Sequence, residues 1–477
     1  MTELGRTMFA NATWRTFGDL GSKAASVVLY VVIARKLGDA QFGIFTFALA
    51  YTALVTTLGG FGQDLVLSRE VARDHSVLLD YFTNTLVLKV ALALPALAVA
   101  DGVLWLRGGN DESAIVVGLL GVGVVLDLLM NTSFATYQAY ERLRYLAATL
   151  IFERFATAIA ASIALVLGAG VIAVAAIYLV SAALAFALSL FFVHRRITPL
   201  SWRLDLHRWK PLMVAALPVG LFTVFGVTLF RVDTAMLAAY RPASVVGNYG
   251  VAYRLFETTL FLSWAVGAAA YPVLSRLTRD TDPPVGSVWE RSVKGVVTLA
   301  LPLAVAAALL AGPLIDLLYG HGFPQAPNAL VLLAPTIALY PLAYICGTLL
   351  LAQDRTRVLS ISYGVIAAQN ILGNLILIPR YSLNGAALGT TISQLLLTSW
   401  LLVYAVRTTG PVRWKRMLAG PAVASGVAAV AMLPFREHAA AFLLGAAAYV
   451  AALAVFERVF FPEDAHATLM LIRRRAG

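Results

Sequence analysis

The chain has 477 residues, 60% of them hydrophobic and only 13% charged, against about 25% charged in an ordinary soluble domain. Its formal charge of +11 is scattered through short intervals between apolar stretches. Nucleic-acid binding would need those charges gathered on one solvated face, and a single cysteine, Cys346, excludes an intrachain disulfide.

Apolar runs of about 20 residues, long enough to cross a bilayer as helices, follow one another along the whole chain. In the first half they predict spans at 11–35, 42–66, 79–106, 113–137, 145–167 and 171–193. The second half gives 211–240, 244–273, 295–319, 327–352, 356–378 and 384–406, and two more follow at 417–434 and 439–461. These runs are too long and too uniformly apolar for barrel strands. The first has no small-residue cleavage site and contains Asp19 and Lys23, so it reads as a span and not as a cleaved signal. The expected fold is all-α, a polytopic membrane protein of about fourteen transmembrane helices.

Charge orients the spans. With the N-terminus in the cytoplasm, the inner loops receive Arg69, Arg73, Arg142, Arg144, Arg195, Arg196, Arg276, Arg279, Arg355, Arg357 and Arg473 to Arg475, among others. The outer loops hold few basic residues, such as Arg107, Arg241, Arg380 and Arg436. The positive-inside rule is then satisfied at nearly every turn and places both termini in the cytoplasm.

The sequence also repeats. Leu67-Ser68-Arg69 returns as Leu274-Ser275-Arg276, and at the same offset Phe42-Gly43 falls on Tyr249-Gly250. Ala139-Tyr140-Glu141-Arg142-Leu143-Arg144 pairs with Ala352-Gln353-Asp354-Arg355-Thr356-Arg357 at a slightly longer offset. Corresponding spans run in the same direction, so two pseudo-symmetric six-helix lobes of the parallel-repeat kind are expected. Residues 1–205 form the first lobe and 206–410 the second, joined by a linker at 194–210; 411–477 is an appended helix pair with a basic cytoplasmic tail. No outer loop is long enough to fold into a domain.

The hairpin Ala34-Arg35-Lys36-Leu37-Gly38-Asp39-Ala40-Gln41-Phe42-Gly43 resembles the opening signature of the polysaccharide-unit flippases. This family belongs to the multidrug/oligosaccharidyl-lipid/polysaccharide exporter superfamily. Further likeness lies in Arg69-Glu70-Val71-Ala72-Arg73, in Arg231-Val232-Asp233-Thr234-Ala235-Met236-Leu237 and in Asn248-Tyr249-Gly250-Val251-Ala252-Tyr253-Arg254-Leu255. Tyr271-Pro272-Val273-Leu274-Ser275-Arg276 and Tyr319-Gly320-His321-Gly322-Phe323 complete it. The resemblance implies a bacterial inner-membrane protein that moves polyprenyl-pyrophosphate-linked oligosaccharide to the outer leaflet by alternating access. In the family the sugar head group passes through a hydrophilic cavity between the lobes. Membrane lipids, and the glycan polymerase and glycosyltransferases of the same pathway, are the implied partners.

Ionisable residues inside apolar spans cost about 2.5–3.5 kcal/mol each at mid-bilayer on insertion scales and need a reason. Arg15, Asp19 and Lys23 stand four apart on one helical face; they line the cavity or form an intrahelical pair with Arg15 reaching the surface. Lys89 sits near mid-span with no acid within a turn, which predicts that it faces water or a ligand. Arg231 and Asp233 in the seventh span, and Arg254 and Glu257 in the eighth, form either a structural salt-bridge network or a phosphate-binding set. The substrate-binding candidates are therefore Arg15, Asp19, Lys23, Lys89, Arg231 and Arg254, and the ion-coupling candidates are Asp19, Asp233 and Glu257. Asp127 and the adjacent Glu153 and Arg154 are weaker.

The six histidines have no metal-binding spacing and no glycine-rich phosphate loop is present, so no cofactor, metal or catalytic residue is expected. Gly59-Gly60 and Gly62, with Pro218 and Gly220, read as bends or close helix approaches. Three alternatives stay open: a lipid II flippase, a multidrug or cation antiporter of the same superfamily, and an enzyme such as a membrane glycan polymerase or ligase. The antiporter would favour an acidic cavity, and the enzyme would need a substantial outer loop.

Overall fold

The computed structural model describes residues 3–106, 111–277, 281 and 284–461. Arg107, Arg279 and the basic tail with Arg473 to Arg475 lie outside the described residues. Among the described residues there are fourteen α-helices and no strands. Eleven of the helices are long and apolar enough to cross a membrane. The protein is a multi-pass helical membrane protein.

Packing divides the chain into two units, 1–247 and 248–477. The first contains α1 (Glu3–Thr57), α2 (Gln63–Arg73), α3 (Leu78–Leu106), α4 (Asp111–Ala139), α5 (Leu143–Val166), α6 (Val171–Arg196) and α7 (Trp209–Tyr240). Helix α8 (Ala243–Leu274) begins in the first unit and ends in the second. The second unit continues with α9 (Val285–Leu309), α10 (Ala311–Tyr319), α11 (Ala326–Ala352), α12 (Thr356–Thr409), α13 (Trp414–Met432) and α14 (Ala441–Phe460). Because α7 packs on α1 and α2, packing and the sequence repeat divide the chain at different points.

Two helices are much longer than a bilayer needs. At about 1.5 Å per residue, the 55 residues of α1 and the 54 of α12 each extend far beyond a hydrocarbon core of about 30 Å. Each is broken at one residue: Gly38, at φ 73°, in α1, and Ser382, at φ 57°, in α12. The hairpin loops expected near 36–41 and 379–383 are therefore single-residue breaks. With both helices cut there, and α8 included, each of the fourteen expected spans has a helical rod. The ninth span is itself divided, because α9 stops and α10 restarts around Leu310.

The second span is interrupted as well. Gly59-Gly60-Phe61-Gly62 separates α1 from α2, and Gly62 takes the left-handed backbone at φ 78° that caps α2. A Cβ on Gly59 would press into Ala93 of α3 and Leu128 of α4. The glycines thus provide both a turn and room for two neighbouring helices.

The linker is held down by α3. Asn84 donates to the Arg203 carbonyl at 3.0 Å and accepts from the Asp205 backbone N–H at 3.0 Å and from Trp209 Nε1 at 3.2 Å. Asp80 pairs with Arg208 at 3.1 Å. Asp205 accepts from the His207 backbone N–H, which holds its carboxyl below the usual range. In the second unit the appended pair packs on α9. Lys294 meets Glu457 at 2.8 Å, Glu290 meets Arg413 at 3.1 Å, and the Tyr449 hydroxyl donates to the Thr298 carbonyl at 2.6 Å.

The repeated motif has the same local geometry in both units. Glu141 follows α4 at φ 54° and Asp354 follows α11 at φ 56°. After each, the next backbone N–H reaches back five residues, Arg142 to Tyr137 and Arg355 to Leu350, at 2.8 Å in both cases. This is the Schellman helix end, which favours glycine at the left-handed residue. Glu141→Gly is accordingly expected to raise thermal stability modestly, by up to about 1 kcal/mol, as read by unfolding in detergent. A lower stability would mean that the Glu141 side chain contributes more than its backbone strain costs.

Candidate functional site

Four polar side chains of the first unit, Arg15, Asp64, Asn131 and Gln138, line a cleft of about 380 Å³ whose apolar floor includes Phe134 and Leu146. Asn131 and Gln138 stand seven apart on α4, so two turns of the helix bring them onto the same face. Arg15 Nε meets Asp19 Oδ2 at 2.9 Å, and both side chains are more than 40% exposed. One helix face thus holds this pair, and Lys23 follows half-buried one turn further on.

Lys89 behaves differently from its sequence expectation. Its side chain is 0% exposed and it has an acid partner, Asp64, 25 residues away in sequence. Nζ lies 2.6 Å from Asp64 Oδ1, 2.8 Å from the Leu128 carbonyl and 2.9 Å from Thr132 Oγ1. An ammonium has three donors, and these three acceptors take them all. Lys89 therefore does not line the cleft; Asp64, 27% exposed, does so in its place. Asp64 also sits in the first turn of α2, where the helix dipole favours a negative charge. Asp64 was missed because nothing near it in sequence marks it, apart from the glycine break two residues earlier.

Elsewhere in the first unit, Asp233 of α7 is buried at 1% exposure and Arg231 is half-buried. In the second unit Arg254 and Glu257 pair through Arg254 Nη1 and Glu257 Oε2, one turn apart on α8 and largely buried. Of the expected groupings, the helix-face pairs Arg15–Asp19 and Arg254–Glu257 are present. The weaker candidates also come together, from different helices and at longer ion-pair distances than these. Arg154 of α5 lies 3.4 Å from Asp127 of α4 and 3.3 Å from Glu153, while the Tyr178 hydroxyl of α6 donates to Asp127 at 2.6 Å. Among the described residues there is no group of three or more His, Cys, Asp or Glu side chains able to hold a metal ion.

Broken membrane helices, a cation-bearing cleft and charges neutralised within the bundle are the features of a polytopic protein with a polar interior, as in membrane transporters. A family model described as polysaccharide biosynthesis protein matches residues 8–278. The chain belongs to that family. It is 30% identical over 192 residues to the probable flippase AglR of Haloferax volcanii, a match that spans 38% of this chain and 39% of AglR. It is 25% identical over 357 residues to the EPS I polysaccharide export inner membrane protein EpsE of Ralstonia solanacearum, covering 70% of this chain and 78% of that one. In fold it is similar to a lipid II flippase MurJ in an inward closed conformation, with a TM-score of 0.78 at 14% identity over 95% of this chain and 99% of that one.

Proposed function

We propose that the chain is a flippase that moves a polyprenyl-pyrophosphate-linked oligosaccharide, the repeat unit of a polysaccharide, from the inner to the outer leaflet of a bacterial inner membrane. The observation that carries this reading is the polar cleft of the first unit, where Arg15 and Asp64 open onto a space floored by apolar side chains. Arginine offers forked, bidentate donors to a pyrophosphate, and the neutral amides of Asn131 and Gln138 suit sugar hydroxyls. The family membership and the relatives' names agree in kind. Fourteen membrane crossings, both termini in the cytoplasm and two lobes rocking by alternating access belong to the same reading. Arg15, Lys23, Arg231 and Arg254 are its cationic contacts. Lys89 acts through Asp64 as a positioning residue, and an ion gradient drives the cycle.

The glycan polymerase and glycosyltransferases of the pathway are the proposed partners. Deleting the gene and analysing the lipid-linked saccharides of the cell tests the substrate. The expected outcome is a polyprenyl-linked repeat unit held on the inner leaflet, with loss of the surface polysaccharide. Accumulation of lipid II would assign the chain to peptidoglycan precursor export. Normal saccharides combined with sensitivity to organic cations would assign it to cation efflux, and an unlinked but exported repeat unit would point to a polymerase or ligase.

A further inference from the structure

We propose that Asp127, Glu153, Arg154 and Tyr178, which meet between α4, α5 and α6, form a proton-binding site in which the two carboxyls share one exchangeable proton. Glu153 lies ten residues into α5, about 15 Å along the helix at 1.5 Å per residue, and is 0% exposed. Neither Glu153 oxygen receives a hydrogen bond, and Asp127 Oδ1 has none either. Arg154 approaches Glu153 Oε1 at 3.3 Å without the alignment of a hydrogen bond, and it donates instead to Asp127 Oδ2 at 3.4 Å. Tyr178 spends its hydroxyl on that same Oδ2.

The charge count gives these vacant acceptors a meaning. Two ionised carboxylates and one guanidinium leave one net negative charge on a cluster whose Glu153 is buried and whose Asp127 and Arg154 are partly so, with three buried oxygens lacking a donor. Buried acceptors without donors, and buried charges without full compensation, are costly. One proton removes both defects: it brings the cluster to neutrality and adds the missing O–H between two acceptor-only groups. Asp127, 18% exposed, is the member through which the proton enters, and Glu153 is where it is stored. The titratable groups facing Glu153 from the neighbouring helices are Asp127 on α4 and Tyr178 on α6, and Tyr30 on α1 faces Arg154. A sodium ion fits less well, because the guanidinium already stands within 3.4 Å of both carboxyls and would repel it.

The site supplies the coupling ion that the proposed transport requires, and in that sense rests on that reading, but proton binding itself can be measured without transport. Infrared difference spectra of the purified chain in lipid nanodiscs, taken through a pH titration, read the protonated carboxyl directly. A protonated band is expected at neutral pH, unchanged by sodium and lost in Glu153→Gln. Tyr178→Phe removes a donor without changing charge and is expected to keep the band while displacing its midpoint by about one pH unit, the scale on which a hydrogen bond shifts a carboxyl. An unchanged band in folded Glu153→Gln, or a band that sodium abolishes at constant pH, overturns the proposal. Should Glu153→Gln fail to fold, an unmoved midpoint in Tyr178→Phe overturns it just as well. If the band behaves as expected but the wild-type chain moves no lipid-linked glycan, only the transport reading falls.

Discussion

Replacing Lys89 by alanine is expected to unfold part of the first unit as well as to stop export. The substitution strips Asp64, the Leu128 carbonyl and Thr132 of a shared donor at the junction of α2, α3 and α4. Removing one member of a buried ion pair costs about 3–5 kcal/mol. Asp64 is 27% exposed, so water recovers part of its solvation and the lower end, about 3 kcal/mol, is expected. Thermal unfolding in detergent checks the size. The double variant Lys89→Met with Asp64→Asn removes both charges and keeps similar volumes. It is expected to regain most of the stability yet leave export impaired, because the carboxylate that faces the cleft is gone. Full export by the double variant would make the pair purely structural.

The second large effect is expected at Gly43. A side chain there would run into the backbone of Ala243 and of Gly247, where the start of α8 crosses the second rod of α1. Gly247 is equally confined from its own side by the Asp39 carbonyl. Side-chain clashes relax by rotation, but a clash with backbone requires one helix to move. Gly43→Leu is therefore expected to cost more than about 4 kcal/mol, in the range reserved for severe overpacking. Greatly reduced membrane accumulation, with protease cutting in the 241–242 turn, is the expected readout; wild-type yield and protease resistance would contradict the close crossing.

What the sequence discloses and what it hides follow one physical division. Features carried by neighbours in sequence are legible. The spans follow from continuous apolar runs, the strap at 194–210 from its polar composition, and the Arg15–Asp19 and Arg254–Glu257 pairs from their spacing along a helix. The repeat that aligns Glu141 with Asp354 is local in sequence too, and both residues adopt the same left-handed backbone. Features made by different helices are not legible. Lys89 looks partnerless in sequence because its acid lies 25 residues earlier, on a different helix, α2. The Asp127, Glu153 and Tyr178 cluster draws on three helices, and no spacing along any one of them reveals it. The breaks at Gly38 and Ser382 were expected as loops, because hydropathy registers an interruption without its length.

The most direct measurement places the purified chain in liposomes carrying a labelled polyprenyl-pyrophosphate oligosaccharide in one leaflet and follows its exposure to a glycosidase added outside. The account predicts protein-dependent exposure that an Arg15→Ala variant of normal stability loses. Equal exposure in empty liposomes, or undiminished transfer by that variant, would contradict it.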